Sequence, residues 1–197
     1  MAFPLLESIP LDHPGLKVMT EKLGSTDFVV VPRNEKYPPL QSFHNVADYC
    51  KLAGGIPIFG WAIWWRPETL IEAIPHCVVG AKDGGLIDVT AAPLNARQDT
   101  IFVLATGVAC DAPDLQYPVV RMREFVRLIK DPALCAIESA YIEWTELTIE
   151  LVKQLQGSGC SWTLEGGWTG ERKLEAWHLS AAVQAAYVRM ERLKREF

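Results

Sequence analysis

The stretch between residues 56 and 105 constrains the fold most, because it holds four apolar segments joined by connections that are too short to contain a helix. Turn-forming residues separate these segments, such as the Lys82-Asp83-Gly84-Gly85 run between the second and the third. Parallel neighbours need a crossover of about a dozen residues or more, so segments this close together predict an antiparallel sheet. The predicted strands are Ile56–Trp65, Leu70–Val79, Leu86–Thr90 and Thr100–Ala105.

A helix precedes this predicted sheet. From Ser42 to Ala53 the apolar residues recur at helical spacing on one stripe, and Gly54 and Gly55 supply the left-handed conformation that ends a helix. A helix with one buried side packs naturally against a sheet. The sequence therefore predicts an α+β fold, with an antiparallel sheet packed on the Ser42 helix in a core that spans residues 1–112.

The remaining segments are predicted from the same periodicities. Before the core helix we expect a short helix at Gly15–Lys22 and a strand at Asp27–Pro32. Residues 113–197 are expected to form a helical subdomain packed on the core. Its predicted elements are helices at Val119–Lys130, at Pro132–Gln156 and from about Glu171 to the C-terminus, and a glycine-rich loop at Gly157–Gly170.

Charge and cysteine content argue against several classes of protein. The formal net charge of −5 leaves no excess of basic residues for non-specific binding to nucleic acid. Residues 1–10 lack the features of a secretion signal and no segment is long enough to cross a membrane, so we expect a cytoplasmic protein. Five cysteines without a Cys-x-x-Cys pair argue against a disulfide framework and a zinc site, and we expect neither a metal nor a cofactor. The oligomeric state is left open.

Three residues are candidates for a nucleophile, a base and an orienting carboxylate. Ser42 begins the core helix, where unpaired N–H groups and the helix dipole favour negative charge. His76 lies in the middle of one predicted strand and Asp88 lies in the next. A five-residue loop from Gly80 to Gly84 would place His76 directly opposite Asp88, whereas a two-residue loop would place them on opposite faces. The hypothesis of a triad therefore predicts the longer loop.

The same region contains a pattern of short segments: Ser42-Phe43-His44-Asn45-Val46, Gly54-Gly55, Gly60-Trp61, Glu72-Ala73, His76 and Leu86-Ile87-Asp88-Val89-Thr90. This pattern resembles a family of small, largely uncharacterised bacterial and phage proteins with a transglutaminase-like or papain-like thiol hydrolase core. The family pattern is Cys-x-x-Asn-Val, Gly-Gly, Gly-Trp, Glu-Ala, His and Asp-Val-Thr-Pro, and the resemblance extends from Gln41 to Phe102. Two positions depart from it, because Ser42 stands where the family has Cys and Ala91 where it has Pro. The resemblance implies a nucleophile at Ser42, a base at His76 and an orienting carboxylate at Asp88.

Four further residues are candidates for binding substrate or an oxyanion. Gln41 could complete an oxyanion hole with the Ser42 N–H, and Asn45 belongs to the matched pattern, although it could also form a capping box with Ser42 as the helix N-cap. Trp61 could line a substrate groove or pack in the core. Glu72 shares strand parity with His76, so it could face the same cleft or lie at a solvated edge.

The expected function is that of a hydrolase or acyltransferase acting on an amide or peptide-like substrate, with a peptide or protein as partner. A thiol becomes a stable thiolate beside a helix N-terminus and a His, whereas a serine hydroxyl needs a general base at the moment of attack. Ser42 could be a working nucleophile, a natural loss of activity or a designed Cys-to-Ser change. The alternatives are an inactive relative that binds a peptide or protein in the same cleft, and a helical interaction protein that acts through residues 113–197.

Overall fold

A computed structural model describes residues 4–92, 99–105, 115–171 and 176–197. The described residues form four helices and eight strands. The helices are α1 (Pro14–Lys22), α2 (Ser42–Ala53), α3 (Pro132–Gly157) and α4 (Trp177–Glu196). The strands are β1 (Val29–Tyr37), β2 (Ile56–Arg66), β3 (Leu70–Gly80), β4 (Leu86–Thr90), β5 (Asp99–Leu104), β6 (Glu124–Arg127), β7 (Ser161–Thr163) and β8 (Gly167–Thr169).

Five strands close into a barrel in the order β2-β5-β1-β4-β3, with β3 pairing back onto β2. The prediction of a mixed α+β fold is confirmed, but the sheet is not purely antiparallel, because β1 and β4 run parallel with Arg33 beside Asp88. The short connections within residues 56–105 do give antiparallel neighbours, as between β2 and β3. The parallel pair was missed because α2, β2 and β3 lie between β1 and β4 in the chain. The length of the connections between adjacent segments gives no information about such a distant pairing.

The interior of the barrel is filled by side chains that alternate with those on its outer face. One apolar residue from each of the five strands meets in this interior: Val31, Ile58, Val78, Leu86 and Phe102. Along the same faces of their strands lie Arg33, His76, Asp88 and Thr100. A polar layer therefore follows the apolar one inside the barrel.

Helices α1 and α2 cover the outer face. Leu16 and Met19 of α1 pack into an apolar cluster with β-strand residues such as Ile63 and Ile71. Helix α2 contacts β2, β3 and β4, and its Phe43 stacks on Phe59 of β2 with ring centroids 5.9 Å apart. The predicted helix from Ser42 to Ala53 is confirmed, and it ends where Gly54 adopts a φ of +82°.

The described residues separate into two compact units, one of residues 4–92, 99–105 and 123–129 and the other of residues 115–122, 130–171 and 176–197. The helix predicted at residues 119–130 is wrong, because residues 124–127 form β6 on the edge of β3. Its short apolar segment fits the periodicity of a helix as well as that of a strand. Residues 124–127 form a strand because they pair with Leu70–Ala73. Within the second unit, α3 packs on α4 and Glu143 pairs with Arg189 at 2.8 Å.

Two other predictions concern the C-terminal part of the chain, and the structure confirms one of them. Helix α3 begins at Pro132, with Asp131 as an N-cap that accepts a hydrogen bond from Ala133 N at 2.8 Å, so the predicted helix is confirmed. The prediction of a loop throughout the glycine-rich segment is wrong, because Ser161–Thr163 and Gly167–Thr169 pair as the β7–β8 hairpin, in which Trp162 faces Trp168. Among the described residues, no helix has the length and apolar character needed to cross a membrane.

Candidate active site

His76 and Asp88 are in direct contact. The His76 Nε2 atom lies 2.9 Å from Asp88 Oδ2. The predicted register is nevertheless wrong, because Val79 pairs with Ile87 and not with Gly85. Ala81 N donates to Gly85 O at 2.8 Å, which closes a three-residue loop, and Gly84 takes the positive φ that this turn needs. The register is offset by two positions, so both side chains still share a face and meet diagonally.

Asp88 is fully buried and accepts from several donors at once. Besides His76, the Thr100 hydroxyl donates to Oδ2 at 2.5 Å, and Thr90 N donates to Oδ1 at 3.0 Å. The Arg33 guanidinium lies 3.8 Å from Oδ2. Burial raises the pKa of Asp88, but the hydrogen bond and charge of His76, the Thr100 bond and the charge of Arg33 together hold that pKa below its ordinary value. The carboxylate is therefore ionised at neutral pH.

Arg33 and Thr100 belong to this site although the sequence did not single them out. Arg33 Nη2 donates to Thr100 Oγ1 at 2.6 Å, so the Thr100 hydroxyl is directed onto Asp88. The guanidinium also stacks over Trp64, 5.2 Å from the ring centroid. Burial lowers the pKa of Arg33, and the charge of Asp88 opposes that effect. The sequence signal for Arg33 was its position as a charged residue directly after an apolar run. That signal does not identify its partner, because only the parallel pairing of β1 with β4 places Arg33 beside Asp88.

Ser42 lies against the strand that carries His76. Its side chain is buried, with 4% of the residue exposed, and its Oγ accepts a hydrogen bond from Cys77 N at 3.2 Å. That nitrogen is joined to the His76 carbonyl carbon, so standard bond lengths place Ser42 Oγ within about 6 Å of His76 Cα. Ser42 Oγ therefore contacts the main chain of β3 next to His76, and the His76 ring contacts Asp88.

The protonation of the His76 ring follows from its partner. An ionised carboxylate only accepts hydrogen bonds, so Nε2, which contacts Asp88, carries a proton. In the neutral imidazole, Nδ1 is then the basic nitrogen. Among the described residues, His76 has no other hydrogen-bond partner, which leaves Nδ1 available to take a proton.

The turn before α2 has an uncommon backbone conformation. Leu40 and Gln41 both have positive φ, 64° and 65°, and residues other than glycine pay about 1–3 kcal/mol for such a conformation. Gln41 is the helix N-cap and makes no side-chain capping bond. Ser42 is therefore the first helical residue, and the interpretation of Ser42 as the N-cap of a capping box is wrong because its hydroxyl binds Cys77 N instead.

The other candidate residues face different partners. Asn45 Nδ2 contacts main-chain oxygens before the helix and Thr90 Oγ1. Trp61 packs against the outer apolar cluster near α1, since its strand parity is opposite to that of the barrel interior. Glu72 does share the parity of His76, but it is fully buried and ion-paired to Arg66 at 2.6 Å and Arg123 at 3.1 Å. Its carboxylate is thus bound within the protein.

Within the described ranges, no three His, Cys, Asp or Glu side chains are arranged to hold a metal ion. No protein-family model, no curated protein and no solved structure matches the chain.

Proposed function

We propose that this protein is a hydrolase or acyltransferase that acts on an amide or peptide-like bond through Ser42, His76 and Asp88. The observation that carries the proposal is the bond from Cys77 N to Ser42 Oγ, which joins the N-terminus of α2 to the strand whose part-buried His76 contacts the buried Asp88. A helix carrying the nucleophile, followed by strands that carry the base and the carboxylate, also supports a papain-like or transglutaminase-like core. Its substrate would be a peptide or a protein.

In the proposed reaction, Ser42 Oγ attacks the carbonyl carbon while its proton moves to His76 Nδ1. The C–N bond of the tetrahedral intermediate then breaks, and the same proton passes to the leaving amine. Attack by water, or by another acceptor nucleophile, on the acyl-serine releases the acyl group and restores the hydroxyl. Asp88 holds the imidazole in the required tautomer and stabilises the imidazolium that forms.

Main-chain N–H groups at the start of α2 would stabilise the oxyanion. Among the described residues, the N–H groups of Gln41 and Ser42 have no hydrogen-bond acceptor. The dipole of α2 adds partial positive charge at this end of the helix. Preorganised donors of this kind act only as charge develops on the carbonyl oxygen, so they lower the barrier and not merely the energy of the bound substrate.

The second candidate function is a protein that binds a peptide in the same cleft without catalysis. It is favoured by the low exposure of Ser42 and by the main-chain donor that occupies its hydroxyl oxygen, since both also fit a serine that joins α2 to β3. The two candidates predict different reactivity at position 42.

Covalent labelling separates these functions. The wild type and Ser42→Cys are treated with a fluorophosphonate and with iodoacetamide, and modification of residue 42 is followed by peptide mass spectrometry. An active serine site requires fluorophosphonate labelling of Ser42 that is lost in His76→Ala. Labelling of the cysteine variant alone indicates a site that has lost its nucleophile and favours the binding function. Absence of labelling in both proteins would exclude the proposed chemistry.

Ser180→Cys provides the matched control for the labelling, because this exposed residue lies in the first turn of α4. It tests whether a helix N-terminus is enough to activate a thiol. We expect the cysteine at position 42 to react faster than the one at position 180, because only position 42 lies beside His76.

A further inference from the structure

The Asn45 side chain forms its hydrogen bonds within the protein. Asn45 lies one turn after Ser42 on α2, and 4% of the residue is exposed. Its Nδ2 atom lies 3.0 Å from Pro38 O, 3.3 Å from Leu40 O and 3.1 Å from Thr90 Oγ1. An amide nitrogen has two hydrogens, so both are occupied by these acceptors. Asn45 therefore does not bind substrate through this group.

One of these bonds fixes the direction of a main-chain donor in the site. A trans peptide is planar, and its C=O and N–H groups point in opposite directions. Because the Leu40 carbonyl points at Asn45 Nδ2, the Gln41 N–H of the same peptide must point away from Asn45. The positive φ values of Leu40 and Gln41 place this peptide in an orientation that surrounding contacts have to maintain.

Another bond connects the helix of the nucleophile to the strand of the carboxylate. Asn45 donates to Thr90 Oγ1, and Thr90 N donates to Asp88 Oδ1 at 3.0 Å. Both Asn45 and Thr90 are buried, so the connection is shielded from water. The turn before Ser42 and the His76–Asp88 pair are thereby held by one side chain.

We propose that Asn45 is a positioning residue: it orients the Gln41 peptide so that its N–H can stabilise the oxyanion, and it fixes the start of α2 relative to Asp88. This inference rests on the proposed acyl-transfer function. A positioning role differs from a purely structural one in its effect on rates. Loss of the Asn45 donor should slow a reaction that forms an oxyanion more than a reaction that forms none.

Two reactions of the Ser42→Cys protein make that comparison. Acylation by p-nitrophenyl acetate passes through a tetrahedral oxyanion, in which the thiolate forms a C–S bond and nitrophenolate leaves. Alkylation by iodoacetamide displaces iodide at a saturated carbon and forms no oxyanion. Both rates are measured at residue 42 by peptide mass spectrometry, with the exposed Cys135 of the same chain as internal reference.

Asn45→Asp keeps the size of the side chain and removes its donor. We expect it to lower the acylation rate about tenfold or more, with alkylation changed by less than about threefold. Thr90→Val keeps Asn45 and removes only its third acceptor, so we expect the ratio of acylation to alkylation to fall by about threefold. This milder variant decides the question if Asn45→Asp does not fold.

The outcomes separate this inference from the proposed function. If residue 42 in the Ser42→Cys parent is acylated no faster than Cys135, the proposed function fails and the role of Asn45 fails with it. If the parent is acylated rapidly and the folded variants keep its ratio of acylation to alkylation, only the positioning role is overturned. An equal fall in both rates would likewise overturn it, since that result indicates general loss of structure.

Discussion

The Nε2 atom of His76 lies 2.9 Å from Oδ2 of Asp88, although the register of β3 and β4, with Val79 opposite Ile87, offsets the two residues by two positions. The diagonal contact brings a His from one strand to a carboxylate that is also bound by Thr100 and Thr90. Asp88 is thus the point at which β3, β4 and β5 are joined by polar contacts inside the barrel.

Asp88→Asn is expected to destabilise the protein by about 3 kcal/mol, because it leaves the buried charge of Arg33 without its counter-ion. The free energy of unfolding from urea titrations measures this loss. Asp12→Asn, at an exposed position, gives the same change in net charge and serves as the control. A difference of less than about 1 kcal/mol between the two variants would show that the Arg33–Asp88 pair contributes little.

Acid is expected to remove the stability that Asp88 contributes. Its pKa is held below the ordinary value of 3.8, so in this range the unfolded chain binds more protons than the folded protein. The contribution is complete above pH of about 4 and is lost as pH falls through the lower folded-state pKa. Urea titrations at several pH values should therefore show a steeper loss of stability below pH of about 4 in the wild type than in Asp88→Asn. Parallel curves for the two proteins would contradict this.

Thr100→Val should destabilise the protein by about 1–3 kcal/mol, because it removes the hydroxyl that accepts from Arg33 and donates to Asp88. The side chain keeps its shape, so packing is little changed. Thr100→Ser keeps the hydroxyl and is expected to retain most of the stability. Chemical denaturation of both variants provides the comparison, and a Thr100→Val protein as stable as Thr100→Ser or the wild type would show that the hydroxyl contributes little.

Glu72→Gln should destabilise the protein by about 3 kcal/mol, since two arginines then lose a fully buried counter-ion. Four residues along β3 separate Glu72 from His76, or about 13 Å at the usual rise of a strand. Labelling of position 42 in the Ser42→Cys background should therefore change by less than about twofold. A folded variant with abolished labelling would restore Glu72 as a residue of the reaction.

Much of the barrel and its covering helix could be predicted from local patterns. The apolar stripe of Ser42–Ala53 and the glycines that follow define α2, and the apolar segments between turns define β2 to β5. The five-residue loop that the triad hypothesis required would place His76 and Asp88 on one face, and the observed register differs from it by two positions, which leaves that parity unchanged. The exact pairing was missed because the loop from Lys82 to Gly84 is closed by the Ala81–Gly85 bond, which depends on turn geometry.

The sequence by itself determined which residues form α2 and the central strands, because helical and strand periodicities are local properties of the chain. Only the tertiary structure decided that β1 pairs in parallel with β4, which places Arg33 beside Asp88. It also decided that Ser42 Oγ meets Cys77 N and that Asn45 faces the turn before the helix. These contacts join residues far apart in the chain or depend on backbone atoms that every residue carries, so no pattern of side chains encodes them.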